Sequence, residues 1–232
     1  MIRGSFFSSN SNPFITVNKL AEYMNANPTR RRQIANSFKE DKDFKKNYYQ
    51  LVKTAIPKFF KSGYDVAVLN RAIRNAERML EDASLTDWAK GDYRNSILAL
   101  ESLKTANLPD LSNYEVVDLG KLDEIELAGV AVSIKPDVYL KHTKTGKYGV
   151  VKVNITKTEG NRLISNSMEY AATMLQVGLM SLGYEQSEID HKGCFSVDIF
   201  DGNFEHSPRA YKRTVASLEN ACKEYSLLWD SL

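Results

Sequence analysis

The hydrophobic period of this 232-residue chain changes once, near residues 107–113, and that change limits the folds open to it. Upstream, apolar residues recur every three or four positions, the spacing of a helix with one buried side. Thr16 can cap a helix whose Val17, Leu20, Ala21 and Met24 share a face. Asn25-Ala26-Asn27 breaks the pattern, and Pro28 suits the first turn of a second helix running through Ile34, Ala35 and Phe38. Residues 44–60 predict a third helix that Pro57 kinks or ends. Residues 65–82 and 85–106 predict two more, the last with Tyr93, Ile97 and Leu100 on its buried side. Pro109 and Asp110 then close the helical half.

Downstream the alternation is that of strands. Residues 127–135 predict one strand, and Pro136 to Leu140 continue the extended run. The segment HTKTGK predicts a turn, with Gly146 supplying left-handed backbone. Tyr148 to Thr156 predicts a second strand, paired with the first as a hairpin. A helix over 161–182 follows and ends at Gly183. Phe195 to Phe200 predicts a third strand, a turn at Asp201-Gly202-Asn203 follows, and 208–231 predicts a closing helix. Residues 1–14, rich in Ser and Asn, predict extended or loosely ordered chain. The reading is an α/β (α+β) protein with an N-terminal all-helical domain over 1–112 and an α/β domain over 113–232.

Charge divides at the same place. Residues 1–112 hold 18 Lys and Arg against 12 Asp and Glu, and the remainder 13 against 17. A basic front and an acidic back predict two units with different surfaces. Arg30, Arg31 and Arg32 open the second helix, so 16–38 has the spacing of a helix-turn-helix-like pair whose second helix meets nucleic acid. Three successive arginines fan over about 200° of a helix, so one or two of them would face phosphates. A solvated basic helix end is the competing reading. Basic residues and aromatics also interleave along 39–78, where helical spacing points to core for most of the aromatics.

Other chemistries find little support. Cys194 and Cys222 lie far apart without metal-ligand spacing, which points to a reduced pair. His142, His191 and His206 have no spaced partner. Neither GxxxxGK[ST] nor GxGxxG occurs, which argues against nucleotide hydrolysis and dinucleotide cofactors. No signal-peptide pattern or membrane-length apolar run stands out, so a soluble cytoplasmic protein is expected.

The strand carrying Pro136-Asp137, the turn, the strand Val150-Val151-Lys152-Val153-Asn154-Ile155-Thr156-Lys157 and the helix after it follow an order with chemical logic. A divalent-metal nuclease needs a carboxylate at one strand end. It also needs an acid and a lysine two residues apart on the neighbouring strand, where period-2 geometry sets them on one face. Residues 126–206 resemble the core of the PD-(D/E)XK nuclease superfamily, in its RecB/Cas4-like branch. The resemblance implies a three-layer restriction-endonuclease-like core, with Asp137 as the first metal-binding acid. It sets Lys152 at the position of the second acid and Asn154 at that of the lysine. Asn166-x-x-x-Tyr170 stands where the branch has Gln-x-x-x-Tyr. Asp137, Lys152, Asn154 and Tyr170 would therefore line a degenerate catalytic cleft.

Three readings stay open. The chain binds nucleic acid or a partner protein without cutting, with Lys152 as a phosphate contact and no cofactor. It is a Mg²⁺-dependent nuclease in which Glu169, or Glu124 and Glu126, supplies the missing carboxylate beside Asp137. Or the chain is a protein-interaction module without nucleic acid; that Asp137 merely begins a turn after a proline, outside any nuclease-like core, is the competing reading of the fold. The binding reading is favoured, with a role in bacterial or phage DNA transactions or defence.

Overall fold

Thr16 ends a short strand and starts a helix within one residue. β1 is Phe14–Thr16 and α1 is Val17–Asn25. The computed structural model describes residues 12–40 and 48–232. The expectation for most of 1–14, and the expected start of the third helix at 44–47, lie outside these residues. α2, Pro28–Lys39, begins on its proline, with the Asn27 side chain accepting the Arg30 N–H. α3, Gln50–Lys61, carries Pro57 inside rather than at its end. α4, Val66–Leu80, is capped by Asp65, and α5, Asp87–Thr105, by Thr86.

The strands are more numerous than the alternation predicts. β2 is Tyr114–Val117, a segment the sequence reading passes over. The expected single strand at 127–135 is instead a hairpin of β3, Glu124–Leu127, and β4, Val130–Ser133. Its two-residue turn, Ala128-Gly129, has positive φ at both positions, 50° and 80°. That is the geometry that matches strand twist in tight hairpins, but alanine gives no local signal for it. β5, Val138–His142, and β6, Tyr148–Asn154, form the expected hairpin, with Val138 opposite Val151. α6 is Ser165–Ser181. β7, Ile189–Asp198, begins six residues earlier than expected, and β8, Asn203–His206, turns back along it. α7, Tyr211–Asp230, closes the chain.

Two sheets result. The larger has the order β2-β5-β6-β7-β8, with β6 and β7 parallel and joined through α6, and the other pairs antiparallel. The smaller has the order β1-β4-β3, with β1 parallel to β4. β6 and β7 come so close at one point that a Cβ on Gly149 would lie 2.5 Å from the Gly193 carbonyl oxygen. Among the described residues no helix is long and apolar enough to cross a membrane.

Side-chain alternation sorts the core onto the two faces of the larger sheet. Val138, Leu140, Val151, Val153, Phe195 and Val197 pack with α3, α4 and α5. Val150 and Cys194 pack with α1, α6, α7 and the smaller sheet. Both clusters draw side chains from either side of residue 112, so the division expected there does not coincide with a break in the core. β1 and α1 show this most directly: Ile15, Val17, Leu20, Ala21 and Tyr23 are each at most 1% exposed, in one cluster with Met168, Leu175 and Trp229. Leu20→Ala should therefore destabilise the whole protein by about 2–5 kcal/mol. Thermal unfolding should show one shifted transition; an α/β transition left in place would mean that the front half folds independently.

Candidate functional site

Val138 faces the α3–α5 side, so period 2 turns Asp137 to the side covered by α1 and α6. On β6, Lys152 and Asn154 alternate with Val151 and Val153 and face the same way. On β7, Ser196 and Asp198 alternate with Phe195 and Val197 and join them. This polar face is two residues richer than expected, because Ser196 and Asp198 stand in register opposite Lys152 and Asn154.

Asp137 Oδ2 accepts the Val153 N–H at 2.7 Å and lies 3.2 Å from Lys152 Nζ. Lys152 Nζ also donates to the Lys135 carbonyl at 2.6 Å. Lys135 holds φ at +39° immediately before Pro136. A residue before proline prefers extended backbone, and a side chain in the left-handed region is strained. Asp137 and Lys152 are 16% and 17% exposed at the side chain, so their charges meet partly screened from water.

Asp198 is fully buried. Its Oδ2 accepts from Asn154 Nδ2 at 2.6 Å and from the Leu163 N–H at 3.0 Å. Its Oδ1 accepts from the N–H groups of Phe200 and Asp201, each at 3.1 Å. Four donors match the four lone-pair sites of a carboxylate. Asn154 Oδ1 in turn accepts from Asn18 Nδ2 at 3.2 Å and from the Thr156 hydroxyl at 3.0 Å. The network joins α1, both central strands and the loops that follow them.

The structure brings Asp137 and Lys152 together and sets Asn154 beside them, bonded elsewhere. Tyr170 is half-buried and packs against the core cluster under α6, without a hydrogen bond to the other three. Glu169 is half-buried and its carboxylate makes no hydrogen bond or ion pair with a described residue. Glu124 and Glu126 lie on the exposed side of β3, in the smaller sheet. Among the described residues no three His, Cys, Asp or Glu side chains gather where a metal ion could be held. The Mg²⁺ that the resemblance implies does not fit these residues: Lys152 occupies a flank of Asp137, and Asp198 has no lone pair left to offer.

The three arginines divide. Arg30 pairs with Glu22 at 2.6 Å, and Glu22 also holds Lys19. Arg31 pairs with Glu224 at 2.7 Å, donates to the Tyr23 carbonyl and lies over the Tyr23 ring. Arg32 is exposed. Arg30 and Arg31 thus tie α2 to α1 and α7. Both thiols are free and buried, and desolvation raises them, Cys222 to about 12, which leaves neither reactive.

The chain matches no protein-family model, and no curated protein matches it either.

Asp198 is the site residue that sequence reasoning missed. The pattern Val197-Asp198 gave no sign that its partners would be backbone N–H groups and an asparagine 44 residues away. Asp198→Ala strips four donors of their acceptor, so it should cost about 3–5 kcal/mol. Asp137→Asn, which keeps an acceptor for Val153 and Lys152, should cost less. Chemical denaturation of the two variants checks the order, and equal losses would contradict it.

Proposed function

We propose that this chain is a nucleic-acid-binding protein built on a PD-(D/E)XK-type core, its catalytic face converted from metal binding to direct contact with anions. Apart from the β3–β4 hairpin inserted after β2, the order α5, β2, β5, β6, α6, β7, with β6 and β7 parallel, supports the restriction-endonuclease-like reading. The observation that carries the functional reading is Lys152. It stands where the resemblance calls for a metal-binding acid, and its ammonium lies 3.2 Å from Asp137. A cation there neutralises the remaining carboxylate and repels a second cation.

The surroundings favour a polyanion. Lys135 is exposed near this face, and Arg162 lies on the loop leading to α6. Contact with phosphates through such groups makes affinity fall steeply with salt. The role proposed is binding nucleic acid, or a partner that processes it, in a cytoplasmic setting of bacterial or phage DNA transactions or defence.

Binding of single- and double-stranded DNA and RNA, measured across a salt series, tests the reading. Lys152→Ala should weaken binding and flatten its salt dependence by about one charge. Unchanged affinity in that variant would remove Lys152 from the interface. Incubation with Mg²⁺ or Mn²⁺ should leave the nucleic acid intact, and cutting that disappears in Asp137→Ala would establish a nuclease instead.

A further inference from the structure

α3 and α4 each carry two stripes of side chains. One stripe is buried in the core: Val52, Ile56 and Phe59 on α3, and Leu69, Ile73 and Ala76 on α4. The other lines a groove of about 460 Å³ between the two helices, open to solvent along one side. α3 gives the groove Leu51, Thr54, Ala55 and Lys58. α4 gives it Val68, Arg71, Ala72 and Asn75. Both sets have the spacing i, i+3, i+4, i+7, the repeat with which one helix faces another. In both, the residues at i and i+4 are apolar and buried or half-buried, so they form a floor. Those at i+3 and i+7 are polar and exposed, so they form the rim.

The rim is cationic. Lys58 and Arg71, one from each helix, make no side-chain hydrogen bond or ion pair with a described residue. Arg30 and Arg31 differ, since each is held by a glutamate. Residues 50–80 hold six Lys and Arg against two acids, and neither acid lines the groove. Asp65 caps α4, and Glu77 lies two residues past Asn75, about 200° round the helix. The floor then decides among anions. It is aliphatic, so it offers a phosphate no donor and a base no ring to stack on. Its open side would leave much of a small ligand in water, whereas small-ligand sites bury most of the ligand. A helix with an apolar stripe and acidic flanks matches floor and rim together, and its own backbone asks nothing of the groove.

We propose that the α3–α4 groove is a docking site for an acidic amphipathic helix of a partner protein. The apolar stripe of that helix fills the floor, and its flanking carboxylates meet Lys58 and Arg71. The α3–α5 layer covers the face of the larger sheet opposite to Asp137 and Lys152. A partner seated there leaves the polar face open, so this inference and the nucleic-acid reading stand or fall separately.

The probes are two labelled peptides of about 18 residues, long enough to be helical when bound. Both carry leucine at i, i+3, i+4 and i+7, flanked by glutamate in one and by lysine in the other. On the full chain the glutamate peptide should bind about tenfold tighter, the scale of two ion pairs reversed in sign. Lys58→Glu combined with Arg71→Glu should invert that order. Thr54→Trp, at an exposed position of the rim, should plug the groove and remove binding while the melting temperature holds. Lys152→Ala should leave peptide binding unchanged. No binding of the glutamate peptide, equal affinity for both peptides, or unaltered binding in Thr54→Trp overturns the docking site. Nucleic-acid affinity lost in the Lys58 and Arg71 double variant, without any peptide preference, gives the groove to phosphates; that overturns the partner helix and leaves the nucleic-acid reading standing. Self-association that the double variant abolishes seats a second copy in the groove and likewise overturns the partner protein.

Discussion

The hydrogen bond between Asn154 and Asp198 holds the molecule's centre together. It lies where β6 and β7, the parallel pair of the larger sheet, both end. Asp198 could not be buried as a charge without donors, and all four of its lone-pair sites are filled by groups from three different segments. Asn154 passes the connection to Asn18, so α1 is seated by the network that orders the loop into α6. A carboxylate used in this way organises backbone; it is not left over for chemistry. The neighbouring Asp137 is spoken for as well, by Lys152 and the Val153 N–H. The face thus keeps the polarity of a site while every carboxylate on it has a structural duty.

Much of this was legible in the chain. Pro136-Asp137 followed by a strand with Lys152 and Asn154 at alternate positions places all three on one face from period 2 alone, and the hairpin between β5 and β6 follows from Gly146 and the flanking alternation. Among the described residues the α-helices were readable from apolar spacing, and α4 also from Asp65 at its start. What escaped has physical reasons. β1 and β2 are three and four residues long, too short to display a period. The Ala128-Gly129 turn hides inside an alternating run because alanine is an unusual occupant of left-handed backbone. Asp198 escaped because its partners are distant in sequence and mostly main chain.

The basic front of the chain illustrates how charge counts mislead about surfaces. Arg30 and Arg31 are adjacent in a run that resembles a nucleic-acid-binding helix start, yet each is drawn to a glutamate, Glu22 or Glu224, and Arg31 also lies over Tyr23. Two of three positive charges act as fasteners between helices. Glu224 comes from α7, 193 residues away, so no reading confined to the front half could have anticipated it.

The place of β1 and α1 bears on how the chain comes together. β1 pairs in parallel with β4, joining Ile15 to Val132, and α1 packs on α6 and α7, which lie more than 140 residues downstream. Contacts of such sequence separation carry a large loop-closure cost and form slowly. α3, α4 and α5 can collapse on one another locally, and the β5–β6 hairpin can close early. The stretch that leaves the ribosome before any of these must wait, its Ile15, Leu20 and Tyr23 still in water, until α6 and α7 exist to receive them. Until α1 docks, the polar face of β6 lacks the helix whose Asn18 bonds Asn154.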